Sequence, residues 1–284
     1  MRARGFTIIE LVVTITLTAI VICITTFLIS GPVRAYADQS RRSELVSAAD
    51  SALLNVARDV RRALPNSTRV TTTATTAALE MLSSIDAVRY RASGALGSPA
   101  LELDLTTPDG SFSTLGKFTH VTHPFSSTVR YLSVYNIGVS GADAYELANV
   151  MTPAGTTISI ADGSNAGEDV VTMSPAFKFA YGSPAKRIYL VEGPITYLCD
   201  LTEGTLRRFS GYSVASSQGL RDTTAELAGA GAQNALLARN LTACVFTYAA
   251  GTSQRAGLVT ATLTVSKNGE LVRLLEQVHV ENAP

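Results

Sequence analysis

The residues able to do chemistry in this chain are few. His120 and His123 stand three positions apart beside Thr119 and Thr122, a spacing on which two imidazoles could share one metal across a turn. No third ligand can be picked out along the chain, so both are read as surface histidines. Asp162, Asn165, Glu168 and Asp169 crowd a Gly-containing loop whose oxygens could hold Ca²⁺. Their spacing is not that of an EF-hand, and the loop is read as a solvated turn. The G-x-S-x-G elbow, the G-x-x-x-x-G-K-[ST] phosphate loop and H-E-x-x-H are all missing. No catalytic residue, metal or cofactor is therefore expected. What remains is three cysteines (Cys23, Cys199, Cys244) and one misplaced carboxylate, Glu10.

Glu10 stands immediately before LVVTITLTAIVICITTFLI, nineteen residues from Leu11 to Ile29 without a charge, Gly or Pro. At about 1.5 Å per residue a helix of that length covers roughly 28 Å, the hydrocarbon thickness of a bilayer. The polar residues in it, Thr14, Thr16, Thr18, Thr25 and Thr26, can return their hydroxyls to the preceding turn. No small-x-small cleavage site follows Ile29, so the run reads as an anchor and not a secretory signal peptide. Arg2 and Arg4 hold the N-terminus in the cytoplasm, which leaves everything after the span on the far side. A carboxylate at the edge of such a run is expensive unless it meets a cation.

The string Gly5-Phe6-Thr7-Ile8-Ile9-Glu10-Leu11 resembles the N-terminal motif of the type IV pilin and type II secretion pseudopilin superfamily. The resemblance implies a basic leader, residues 1–5, cleaved after Gly5 by a prepilin peptidase, and N-methylation of the new terminus at Phe6. The amine of a neighbouring subunit is then the cation for Glu10. Removing one partner of an ion pair inside an apolar bundle is strongly unfavourable, so such a pair fixes axial register. The implied partners are other major and minor pilins, an inner-membrane assembly platform and the bilayer. The implied localisation is the bacterial inner membrane with a periplasmic globular domain, and afterwards the pilus at the cell surface.

Gly31 and Pro32 follow the span and predict a helix break at the membrane edge. Beyond them Leu45, Ala49, Leu53, Val56, Val60 and Leu64 recur at spacings of three and four, one apolar stripe that a sheet must cover. Arg41, Arg42, Glu44, Asp50, Arg58, Asp59, Arg61 and Arg62 are expected off that stripe, and Pro65 and Asn66 end the pattern. The helix end, residues 58–67, resembles the branch of the superfamily that holds the J-type pseudopilins and the larger minor pilins.

The rest reads as β. Strands are expected at 79–82, 87–92, 101–105, 129–137, 156–160, 177–181, 188–198, 206–212 and 243–248, with a short helix over 224–241. Asn268-Gly269 between the apolar alternations 258–265 and 271–280 predicts a type I′ hairpin. The expected architecture is α+β: a leader (1–5), a membrane-spanning and filament-core helix (6–30), its amphipathic continuation (31–66) and an exported β-rich domain (67–284). In an oxidising compartment, Cys199 and Cys244 are expected to pair across neighbouring strands. Closing that loop would stabilise the fold by on the order of 4 kcal/mol. Cys23 is read as an apolar filler of the span.

Residues 194–200 with 204–209, and the chain end 277–284, resemble the O-type minor pilins of mannose-sensitive haemagglutinin (MSHA) pili. With 46% hydrophobic residues and 23 basic against 23 acidic side chains, the composition supports a folded domain and offers no basic footprint for nucleic acid. The expected activity is assembly without catalysis. The alternatives are a J-type pseudopilin of type II secretion, a tip adhesin, and a single-pass membrane-anchored enzyme or binding protein.

Overall fold

The computed structural model describes residues 7–92, 102–252 and 255–280. It opens on one α-helix, α1 (Ile8–Arg61), whose first turn is capped by the Thr7 hydroxyl accepting from the Glu10 N–H at 3.3 Å. The helix continues through Gly31 and Pro32, where the sequence predicts a break. Proline removes a single donor, the one that would have reached the Leu28 carbonyl, and two long helical runs flank it, so the interruption stays below the level of secondary structure. The end comes at Arg62, whose N–H returns to the Asp59 carbonyl at 3.1 Å, and Asn66 then reverses the chain with φ of 57°.

Thirteen strands follow among the described residues, every pair antiparallel. They are β1 (Arg69–Thr72), β2 (Thr76–Tyr90), β3 (Asp109–Leu115), β4 (Phe125–Ser127), β5 (Tyr131–Ser133), β6 (Thr157–Asp162), β7 (Asp169–Phe177), β8 (Arg187–Asp200), β9 (Thr205–Ser210), β10 (Gln233–Arg239), β11 (Leu241–Ala249), β12 (Gly257–Lys267) and β13 (Glu270–Val280). The short helix α2 (Thr224–Gly229) precedes β10. Ten strands form one sheet in the order β10-β9-β8-β2-β3-β7-β6-β4, with β1 added to β2 and β5 to β8. The other three form a second sheet, β11-β12-β13. The α+β expectation is met.

Among the described residues four hydrophobic cores form, and the two largest lie apart. In the first, Leu45, Ala49, Leu53 and Val56 of α1 pack with Leu79 and Met81 of β2, Tyr197 of β8 and Leu263, Val265 and Val272 of the small sheet. In the second, Phe112, Phe118, Ile158, Val171, Phe179 and Ile188 pack together at the far end of the large sheet, without any residue of α1. The strand β2 is long enough to serve both, and its opposite face buries Ala78, Glu80 and Leu82, so the sheet is covered on both sides.

Several expected elements change. The stretches 79–82 and 87–92 are parts of one strand, β2, bulged around Ser84. At 101–105 the described residues form no strand, because the Asp104 carboxylate takes the N–H of Thr106 at 2.6 Å and folds the segment into a turn. Of 129–137 only β5 pairs. Of 177–181 only Phe177 is in a strand, as the end of β7; 178–181 follow as a loop, with Phe179 buried edge-on against Phe177. The helix expected over 224–241 is six residues long. A capping box between Thr223 and Glu226 starts it, Gly231 with φ of 75° turns the chain away, and 233–239 pairs with β9 instead. The hairpin at Asn268-Gly269 is as expected: Lys267 pairs Glu270 and both turn residues have positive φ.

Candidate functional site: the N-terminal helix and its seat on the sheets

The helix presents two different surfaces. Every residue from Ile8 to Ile29 is exposed, and none of the apolar stretch is covered by the domain. The threonines satisfy themselves on their own backbone: Thr16 Oγ1 donates to Val12 O at 3.0 Å, Thr18 to Thr14 at 2.7 Å, Thr25 to Val21 at 2.7 Å and Thr26 to Ile22 at 2.8 Å. The outward face is therefore apolar all round, and α1 is long and apolar enough to cross a membrane. A core helix of a soluble protein would be buried here, and a removable signal peptide would not run on as part of the fold; this helix does neither. Glu10 is exposed at its start, with no ionic partner among the described residues. Gly5 and Phe6 lie outside the described residues. Cys23 is a free thiol on the exposed apolar surface.

Beyond residue 44 the predicted stripe is buried: Leu45, Ala49, Leu53, Val56 and Val60 face the first core, while Leu64, past the helix end, is buried with Leu82 and Tyr131. Arg58, Arg61 and Arg62 are exposed as expected, but Asp59 is not. Its Oδ2 accepts from Arg208 Nε at 2.6 Å and from the Tyr197 hydroxyl at 2.8 Å, a clasp that ties α1 to β9 and β8. Burial and the Asp59 charge push the Tyr197 hydroxyl far above the ordinary tyrosine range, so it stays a donor. At the rim Lys267 Nζ meets Glu44 at 3.1 Å. The helix end is stitched to β2 by Leu64 N–H to Leu82 O (2.7 Å) and by both the N–H and hydroxyl of Ser84 to Arg62 O.

A second buried network lies on the other face of β2. Glu80 accepts from Arg69 Nε at 2.7 Å and from the Tyr212 hydroxyl at 3.0 Å, and the Arg69 guanidinium lies 3.5 Å from the centre of the Tyr145 ring. Burial raises the Glu80 carboxyl above its ordinary range, against the opposing pull of Arg69. Neither network was visible along the chain, because Asp59 with Arg208 and Glu80 with Tyr212 stand more than a hundred positions apart.

Cys199 and Cys244 form a disulfide with Cα atoms 6.3 Å apart. The strands they join, β8 and β11, are not neighbours in one ladder as expected; they belong to different sheets, so the bridge fastens the small sheet to the large one beside α1.

The two histidines part company. His120 is exposed, its ring 3.2 Å from Asp86. His123 is largely covered, its Nε2 2.9 Å from Asp169 Oδ2, and the reading of both as surface histidines fails for it. The 162–169 loop divides likewise: Asp162 is exposed against Lys117, whose hydrogen bond lowers the Asp162 carboxyl, while Asp169 is completely buried.

Residues 1–24 match the prokaryotic N-terminal methylation motif. That motif, continued by an uncovered apolar helix whose second half is the core of a β domain, supports the class of type IV pilin-like precursors. It implies processing by a prepilin peptidase and pilin-type assembly. No curated protein and no solved structure matches the chain.

Proposed function

We propose that the chain is a minor pilin precursor, MshO-like, of an MSHA-type pilus. It is cleaved after Gly5, methylated at Phe6, held in the inner membrane by the first half of α1, and then transferred into a filament with its β domain outward. The carrying observation is the methylation motif continued by a helix that is bare over its first twenty-two described helical residues and seated in the β domain beyond Leu45. An all-round apolar surface is stable in lipid, or among other helices of the same kind. The Glu10 carboxylate at its start meets the methylated amine of a neighbouring subunit, and the protein acts by assembling, without catalysis.

The MSHA assignment is supported by the strand-turn-strand of β8 and β9, which carries the quoted resemblance and is also where α1, the clasp and the disulfide converge. The test is the mass of the N-terminal peptide of chain recovered from membranes of a host with its native prepilin peptidase. A start at N-methylated Phe6 is expected; an intact Met1 overturns the pilin reading and leaves a plain membrane anchor. Deletion then separates the two filaments: loss of surface pili is expected, whereas loss of secreted enzymes identifies a J-type pseudopilin.

A further inference from the structure

His123 lies just ahead of β4, Asp162 ends β6 and Asp169 opens β7. The strands β6 and β7 form a hairpin in which Asp162 and Asp169 are direct partners, the last pair before the turn. Like charges directly opposite on a ladder are destabilising unless a cation intervenes. The chain brings two nitrogen groups to them from outside the hairpin: Lys117 Nζ, 2.5 Å from Asp162 Oδ1, and His123 Nε2, 2.9 Å from Asp169 Oδ2. One donor atom from each of His123, Asp162 and Asp169 lies within 4.8 Å of the others.

Asp169 is the fixed member. Its side chain is fully buried, its Oδ2 accepts from the Phe118 N–H at 2.8 Å, and its own N–H donates to Thr114 Oγ1 at 3.1 Å. Its second oxygen, Oδ1, is buried and has no hydrogen-bond partner among the described residues. An orphaned buried acceptor of this kind is unfavourable by roughly 1–3 kcal/mol, and more when charged. In a native fold such a group calls for an explanation, of which a bound water or ion is one.

We propose that His123, Asp162 and Asp169 bind one divalent transition metal, Zn²⁺ being the ion that fits, with water in the fourth position. An imidazole nitrogen and two carboxylate oxygens make a borderline donor set, whereas Ca²⁺ and Mg²⁺ favour oxygen ligands alone. Tetrahedral donors on zinc stand roughly 3.4 Å apart at bond lengths near 2.0 to 2.1 Å. The His123 Nε2 to Asp169 Oδ2 distance of 2.9 Å is that of a direct hydrogen bond, so these two donors open by about half an ångström to admit the ion, and Asp162, exposed at the mouth of the hairpin, leaves Lys117 to close on it. A metal takes imidazole nitrogen and carboxylate oxygen only in their deprotonated forms, so binding weakens as the pH falls. Lys117, exposed and on a flexible stem, is a competitor for Asp162. The metal would tie the loop between β3 and β4 to the β6–β7 hairpin, in the core that neither α1 nor the disulfide reaches.

The test is a competition titration of the detergent-solubilised full chain, stripped with a chelator, using Zn²⁺ against a chromophoric chelator. One Zn²⁺ per chain is expected. His123→Gln and Asp162→Asn should each weaken it by about tenfold or more. His120→Gln should leave it unchanged, and Lys117→Gln should tighten it. Co²⁺ in place of Zn²⁺ should give the visible absorption of a tetrahedral site that His123→Gln abolishes. Asp169 also holds Phe118, so its replacement can unfold the lobe; His123 and Asp162 carry the test instead, with circular dichroism of each metal-free variant as the folding check. Absence of stoichiometric Zn²⁺ binding, equal loss in His120→Gln and His123→Gln, or Ca²⁺ binding of equal strength that His123→Gln leaves intact would each overturn the proposal.

Discussion

The two halves of α1 share one backbone and end in opposite surroundings. From Ile8 to Ile29 leucine, isoleucine and valine point in every direction and all are exposed; beyond Glu44 most apolar residues fall on one buried stripe, with Val46 and Leu54 left outside it. Overall apolarity does not decide the outcome. What separates the halves is where the charges lie: absent from the first beyond Glu10 at its start, and in the second spread over the faces that the sheets leave open, Asp59 excepted. A helix with no polar face has no orientation in which water can wet one side and a sheet cover the other. The first half therefore needs an apolar solvent, and the second needs a sheet.

Placing a charge in each half breaks that comparison most sharply. Val56→Asp buries an unpaired carboxylate in the α1 core and will abolish the cooperative melting of the domain, a loss above about 4 kcal/mol. Val21→Asp will leave the melting curve alone and disfavour membrane insertion by roughly 3 kcal/mol, read as loss of chain from the membrane fraction. Equal effects of the two changes on domain melting would refute the division.

Next comes the bridge that holds the two sheets around the seated half. Replacing Cys199 and Cys244 by alanine will lower unfolding free energy by about 4 kcal/mol in non-reducing denaturant titrations, with the first half of α1 still inserted. Asp59→Asn leaves Arg208 half-buried without its counter-charge and will lose about 2 to 4 kcal/mol. Tyr197→Phe, which removes only a donor, will lose about 1 to 2 kcal/mol.

A smaller effect appears through pH. Because the folded state raises the Glu80 carboxyl above its unfolded value, the folded chain holds that proton more tightly, and its contribution to stability falls as pH rises through the window between the two values. The difference in unfolding free energy between the parent and Glu80→Gln will therefore decline from pH 4 toward neutrality, counted in the parent's favour. A flat difference would show that Arg69 cancels the burial. The smallest change is expected at the rim: Lys267→Ala removes an exposed pair with Glu44 and will shift stability by about 0.5 kcal/mol or less.

The sequence by itself determined the helix, its division into a bare and a covered half, the Asn268-Gly269 hairpin and the α+β class. Each rests on local periodicity or turn chemistry, which a chain carries without its fold. Local patterns misled where tertiary contacts overrode them: β10 pairs with β9 although its residues read as helix, and the helix crosses Pro32 because one lost donor is small against the runs on either side. The polar clasps, the inter-sheet position of the disulfide and the meeting of His123 with Asp162 and Asp169 were decided only by tertiary structure. Strand order sets those meetings, and it is fixed by burial of both faces of a sheet whose partners lie far apart along the chain. Two histidines three apart and four acidic or amide groups in one loop were legible as separate candidates; the β6–β7 register selected one histidine and two aspartates from them.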